Sequence, residues 1–344
     1  MNDFPPESPE TSAVPEAIGP LPAARKINSI DLSMDFTGKP TDYLILLLKT
    51  TFLTIVTLGL YYPWARAERL RFLMNHTQLG SHFFSFTGTG KEIAVGYIKA
   101  FLLYGLLYAG IYGGGFLQQM NATMGLILSA VALLLFYGFL PLIIWGAKAY
   151  RLSRIRYRSI YFSMDHAQRK NFLLKTLRDF FFSFISLGFY IPVFKYNLTR
   201  NLIQATRWGN LSFDFNATRG ESYRLSMKNF LLTIFTFGLY GPFALANRIN
   251  FTANHTRVGK TASLRTSITG VDILLLLVVP LVVTTLTLGL AFPWASLWAR
   301  KNYLKLFSIL GEIDLADVRQ DKDRAGAAGE TIGDLWNVDM SFGV

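Results

Sequence analysis

Leu53-Thr54-Ile55-Val56-Thr57-Leu58-Gly59-Leu60-Tyr61-Tyr62-Pro63 returns 179 residues later as Leu232-Thr233-Ile234-Phe235-Thr236-Phe237-Gly238-Leu239-Tyr240-Gly241-Pro242. The match runs without a gap over residues 32–80 and 211–259, where 22 of 49 pairs are identical. Shared residues include Asp35 and Asp214, Lys49 and Lys228, Arg69 and Arg248, and Asn75-His76-Thr77 with Asn254-His255-Thr256. A fixed offset of this kind marks an architecture built from a repeated unit. Chance likeness between apolar helices explains matched Leu, Ile and Phe, but not aligned Gly, Pro, Asn, His and Thr.

Weaker copies surround the strong pair. Ser186-Leu187-Gly188-Phe189-Tyr190-Ile191-Pro192 lies at offset 129, and Thr287-Leu288-Gly289-Leu290-Ala291-Phe292-Pro293 at offset 230. Tyr137-Gly138-Phe139-Leu140-Pro141 is a degraded fifth version. The break residues are thus Gly59, Tyr61 and Pro63; Gly188, Tyr190 and Pro192; Gly238, Tyr240 and Pro242; and Gly289 with Pro293. Glycine accepts backbone angles that other residues avoid, and proline cannot continue the hydrogen-bond ladder behind it. A structural turn is the simpler expectation and a moving hinge the sharper one. The Thr hydroxyl can bond a carbonyl freed at the break, while Tyr61 and Trp64 suit a membrane–water boundary.

The composition places this device in a membrane. Of 344 residues, 51% are hydrophobic and 16% charged. No charged residue occurs from Ala100 to Ala147, enough for two spanning helices of about 20 residues each, nor from Ile273 to Ala299. The first 41 residues lack the apolar core of a cleavable signal, so insertion by internal segments is expected. With no cysteine, neither disulfides nor thiolate metal sites exist. Residues 42–311 hold 28 Lys/Arg against 8 Asp/Glu, a charge of +20 that prefers anionic lipid headgroups. Nucleic acid is not expected as a partner, because the bases adjoin apolar segments and no nucleic-acid module is visible.

The chain divides into a Pro/Glu/Ala segment at 1–28, expected to be disordered, and a first unit at 29–92. That unit runs strand, apolar helix, Gly/Pro break, basic helix, strand, as Ile30, Leu32, Met34 and Phe36 alternate with polar residues. A transmembrane hairpin at 93–147, a degenerate unit at 148–210, a third unit at 211–270, a terminal membrane segment with a partial repeat at 271–311, and an acidic tail at 312–344 follow. Strand Leu211–Phe215 is expected to close one unit and open the next.

Six sequential spans would leave 16 Lys/Arg in the loops of one face and 15 in those of the other, without the bias that cytoplasmic loops carry. The uncharged runs at three breaks are also short: Thr50–Ala65, Phe180–Phe194 and Asn229–Asn247. Re-entrant segments that enter and leave on one face are therefore favoured, with six simple spans as the rival. The fold class expected is a predominantly α-helical polytopic integral membrane protein with internal repeats, whose short flanking strands can pair into a small sheet.

The bases after the breaks, Arg66, Arg69, Arg71, Arg200, Arg248, Arg300 and Lys301, are the candidate anion- and lipid-binding residues. An Arg fork can hold phosphate bidentately, and Arg69 and Arg248 are the strongest candidates because they are identical across the repeat. Leaflet anchoring, at about 1 kcal/mol per base, is the plainer account. His76 and His255 have no Asp, Glu or Cys at ligand spacing, so no metal is expected. A capping role for the neighbouring Asn or Thr is expected instead, with Gly80 and Gly259 ending the basic helix. No catalytic constellation or cofactor motif is visible, so the chain is not expected to be an enzyme.

The Leu-Thr-Ile-x-Thr-x-Gly-Leu-Tyr-x-Pro block resembles the YjgN-like family of bacterial inner-membrane proteins, classed by a domain of unknown function. The following arginines, the Asn-x-Thr-x-x-Gly segment and the Phe-x-Phe strands share in that resemblance, which covers about residues 30–340. Phe189, Val193, Phe194 and Ala291 depart from the pattern. The resemblance implies a multi-pass inner-membrane protein and supplies no reaction. Binding of an anionic amphipath such as phospholipid, with translocation in the transporter manner as its extension, is the function expected; a structural or regulatory membrane-organising role is the alternative.

Overall fold

The computed structural model describes residues 32–311 and 318–320. Within them one order of elements, strand–helix–helix–strand, occurs five times. The first unit holds β1 (Leu32–Phe36), α1 (Pro40–Val56), α2 (Tyr62–Asn75) and β2 (Thr77–Leu79). The second holds β3 (His82–Phe86), α3 (Gly90–Gln118), α4 (Ala122–Arg154) and β4 (Ile155–Tyr157). The third holds β5 (Ile160–Met164), α5 (Arg169–Ile185), α6 (Ile191–Gln204) and β6 (Thr206–Trp208). The fourth holds β7 (Leu211–Phe215), α7 (Arg219–Phe235), α8 (Gly241–Asn254) and β8 (Thr256–Val258). The fifth holds β9 (Ala262–Thr266), α9 (Gly270–Leu286), α10 (Phe292–Lys305) and β10 (Phe307–Leu310).

The strands do more than form a small sheet. Every neighbouring pair is antiparallel, and β1 pairs with both β2 and β10, so the ten strands close into a barrel. Closure leaves no strand edge unpaired. Alternation sends one residue of each even strand, Leu79, Tyr157, Trp208, Val258 and Ile309, into a single apolar cluster that fills the interior. The barrel is a packed core, not a pore.

Because odd strands lead to even ones through helices, all five helical hairpins rise from one rim, and tight β-hairpins close the other. The helices form a second ring: each packs on the next, and α10 returns to α1. Ser33 and Ser212 lie in β1 and β7, while Ser81 and Ser159 lie in the β-hairpin turns. Hydrogen-bonded neighbours cannot sit on opposite faces of a bilayer, so six sequential spans are incompatible with this fold.

Several unit boundaries differ from those read in the sequence. Leu211–Phe215 is not shared: the third unit closes with its own short strand β6, which pairs with β7. The 93–147 hairpin is the body of a second unit rather than an insertion between units. Pro141 stands 14 residues before β4, as Pro63 does before β2 and Pro293 before β10. Gly80 and Gly259 do not end the basic helices. They sit in the β-hairpin turns with φ of +58° and +63°, and the helices stop earlier. There the His76 and His255 rings bond the Phe72 and Phe251 carbonyls at 2.7 and 2.8 Å. Thr77 and Thr256 then donate their hydroxyls to the Leu73 and Thr252 carbonyls, and Asn254 bridges to the backbone of Thr266 in the next unit.

The residues 1–28 segment and most of the tail lie outside the described residues. Val318 joins the barrel's apolar cluster from the β-hairpin end. Arg319 exchanges hydrogen bonds with Asn210 there.

Candidate functional site

The four Gly breaks adopt one geometry. In the first, the Thr57 hydroxyl donates to the Leu53 carbonyl at 2.7 Å and accepts the Tyr61 N–H at 3.0 Å, so one side chain joins the end of α1 to the start of α2. Ser186, Thr236 and Thr287 accept the same backbone N–H, from Tyr190, Tyr240 and Ala291. Gly59 N–H reaches back to the Thr54 carbonyl at 2.7 Å, a Schellman closure. The glycine that donates this bond has itself a positive φ, of +91°, +93°, +90° and +92° in the four breaks, which suits a residue without a Cβ. Proline follows near the start of each second helix, where its missing N–H costs nothing.

The residue before each of these glycines also has positive φ, near +50°. It is Leu58, Leu187, Phe237 or Leu288, with exposures of 94%, 91%, 98% and 93%. A non-glycine residue in this region costs roughly 1–2 kcal/mol. Four hairpins therefore hold a strained, fully exposed apolar residue at their tips. The second hairpin has no such break. Its helices α3 and α4, of 29 and 33 residues, are the two among the described residues long and apolar enough to cross a membrane.

The seven predicted cations do not converge. Arg66 donates to Tyr97 Oη at 3.0 Å and Arg71 to the Gly88 carbonyl at 3.1 Å, tying the first unit to the second. Arg69 lies 5.7 Å from the centre of the Tyr62 ring. Arg300 is over the Phe36 ring at 5.6 Å and donates to Thr77 Oγ1 at 3.2 Å, tying the fifth unit to the first. Lys301 is exposed. Arg200 lines an open polar concavity with Asp214 and Asn216 near the rim. There a hydrogen bond from Gln204, aided by the charges of Arg200 and Arg257, holds the Asp214 carboxyl below the ordinary carboxylate range.

Arg248 lines a second, mostly apolar cavity. It has a volume of about 730 Å³ and runs between the third and fourth units, from the tip at Leu187 and Phe189 down to Phe215 and Thr252. Lys195, which the sequence reading passed over, lines it too and lies close enough to Arg248 for the charges to repel. The rest of the wall is mostly apolar, with hydroxyls from Thr199, Ser222, Ser226 and Thr252. A size of this order is that of a small-molecule site with a few placed polar groups.

The cavity has a local cause. The fourth residue of each first helix is Tyr43, Ile93, Phe172, Ser222 or Ile273. All but Ser222 are buried apolar side chains that plug the junction with the preceding unit. Among these five helices α7 alone has no buried residue.

Four apolar-tipped hairpins and one long apolar hairpin on a packed barrel, with an amphipathic cavity between two of them, define a class of helical-hairpin barrel proteins suited to an apolar phase. The chain belongs to the YjgN-like family described as bacterial protein of unknown function, DUF898, whose profile matches residues 31–228 and 244–335. It is similar to "Inner membrane protein YjgN" of Salmonella typhimurium, with 32% identity over 69 residues. That match spans 20% of this chain and 18% of the relative's length. No solved structure matches.

Proposed function

We propose that this chain is a multi-pass bacterial inner-membrane protein that binds an anionic amphipath, such as a phospholipid, in the cavity beside Arg248. The carrying observation is the cavity itself, where Lys195 and Arg248 share a wall with apolar residues that continue to an exposed tip. Such a lining matches a headgroup at one end and an acyl chain at the other. Movement of the bound molecule between leaflets belongs to this reading as its transporter-like extension.

The membrane placement rests on lengths. From Lys49 to the Leu58 tip is nine residues, about 13 Å of helix, less than half of a hydrocarbon core of about 30 Å. The short hairpins therefore dip into one leaflet. Helix α4, with 33 residues, extends about 50 Å and crosses it with α3. The basic barrel rim stays with the cytoplasmic headgroups. The relative's name, an inner-membrane protein, supports the choice of membrane.

A membrane-organising role without a specific ligand draws support from Arg66, Arg71 and Arg300, whose bonds knit units together. The two readings separate on Arg248→Lys, compared with Arg69→Lys outside the cavity. Native mass spectrometry of the full-length protein in mild detergent measures retained lipid. A cavity site predicts that Arg248→Lys loses about tenfold in anionic-lipid retention, since lysine cannot make the bidentate fork. Unchanged retention in both variants would leave only anchoring.

A further inference from the structure

We propose that the cavity is selective for an anionic phosphodiester lipid with a neutral polyol headgroup, of the phosphatidylglycerol type, and rejects phosphatidylethanolamine. This rests on the reading of the cavity as an amphipath site. The chain has a sister junction, between the fifth and first units, where the same positions are occupied by other residues.

At that junction Tyr43 stacks on Phe72 with ring centres 5.2 Å apart, and Arg300 covers Phe36. Leu47 and Leu73 pack against the same cluster. At offset 179, Tyr43, Leu47 and Leu73 correspond to Ser222, Ser226 and Thr252, while Phe36 and Phe72 remain as Phe215 and Phe251. Arg300 stands seven residues after Pro293, and its counterpart seven after Pro192 is Thr199. Four large side chains are thus replaced by four hydroxyls within a retained aromatic frame, and the emptied volume is the cavity.

The charge changes in a consistent direction. Arg69 is kept as Arg248, and Ser296 becomes Lys195, three residues after the motif proline. Among the described residues that line the cavity are two cations and no carboxylate. An arginine fork with a lysine fits a phosphodiester. Hydroxyls both donate and accept, which suits a glycerol headgroup. An ethanolamine ammonium would meet two like charges and no acid, an uncompensated arrangement.

The test is native mass spectrometry of the full-length protein, titrated separately with dioleoyl phosphatidylglycerol, phosphatidylethanolamine, phosphatidic acid and free glycerol phosphate. A combined Thr199→Arg, Ser222→Tyr, Ser226→Leu and Thr252→Leu variant refills the cavity with the sister junction's residues, and Ser222→Tyr alone is a gentler form. Phosphatidylglycerol is expected to bind at least tenfold tighter than the other three, and the refilled forms are expected to lose it while melting no lower than the parent. Equal affinity for phosphatidic acid would overturn the polyol assignment but leave the anionic-amphipath reading standing. Free glycerol phosphate binding as tightly as the lipid would overturn the lipid assignment. Equal binding of phosphatidylethanolamine, or undiminished binding by a refilled variant that still melts cooperatively, would overturn both the selectivity and the site.

Discussion

Tyr61, the last residue of the first tip, donates its phenol to Glu68 at 2.8 Å across the start of α2. Lys49 completes the group from α1, with its ammonium 3.1 Å from the other carboxylate oxygen. The third unit has the same clasp with the acid on the opposite helix: Tyr190 donates to Asp179 at 3.2 Å, and Asn197 at 2.7 Å. In the fourth, Asn247 donates to both Asn229 and Tyr240. The fifth unit has Ala291 at the tyrosine position and Trp298 at that of Glu68, so phenol and partner are lost together.

The clasp predicts energetic coupling across the hairpin. Tyr61→Phe and Glu68→Gln should each destabilise the protein by roughly 1–3 kcal/mol, as loss of a hydrogen bond to a charged group does. The double variant should be less damaged than the sum of the two, with a coupling of about 1 kcal/mol. Thermal unfolding in detergent measures this, and strict additivity would show that the pair does not hold the hairpin.

The one-sided barrel predicts a labelling pattern. Since the chain has no cysteine, single Cys replacements at Ser33, Ser81, Ser159 and Ser212 can be probed in intact cells with an impermeant thiol reagent. All four should be protected, while Asn121→Cys, at the turn between α3 and α4, should label. Labelling at 33 and 212 with protection at 81 and 159 would contradict the half-inserted placement.

A pH prediction follows from Asp165, which joins β5 to α5. The Arg207 guanidinium, 2.7 Å away, is the main cause that holds its carboxyl below the ordinary value of 3.8. A depressed acid stabilises the fold above its unfolded pKa, and that contribution disappears as pH falls through the folded value. Asp165→Asn should therefore lower the melting temperature at pH 7, by an amount that reflects about 1–2 kcal/mol. The gap between variant and parent should be constant from about pH 5 upward and narrow as the pH falls below the ordinary aspartate pKa of about 3.9. A gap that does not narrow at all as the pH falls below that value would assign the effect to packing.

The break motif was legible because each of its residues answers a backbone demand: a hydroxyl to bridge two helices, glycine for φ near +90°, proline for a helix start. Unit two was only partly legible: Tyr137–Pro141 marked a degraded copy, but its hairpin lacks that demand and Pro141 lies within a continuous helix. The barrel was not legible because strands of three to five residues carry little period-2 signal and its closing pair joins Leu32 to Ile309. Arg248 was marked by its identity with Arg69, but nothing about either residue told that one lines a cavity and the other does not. That difference lies in Ser222, a small residue whose meaning appears only when all five first helices are aligned from their starts.

Closure of the barrel through β1 and β10 also sets an order of events during synthesis. Strand β1 is the first of the ten described strands to be made, yet one of its two partners, Phe307–Leu310, is the last of them. Until residue 310 leaves the ribosome, the nascent sheet has two open edges, the feature by which strands recruit foreign chains. The hairpins inserted earlier would keep those edges beside the membrane surface until the ring can shut. A stop before residue 307 would yield more than a shortened protein: four finished units with their seam permanently open.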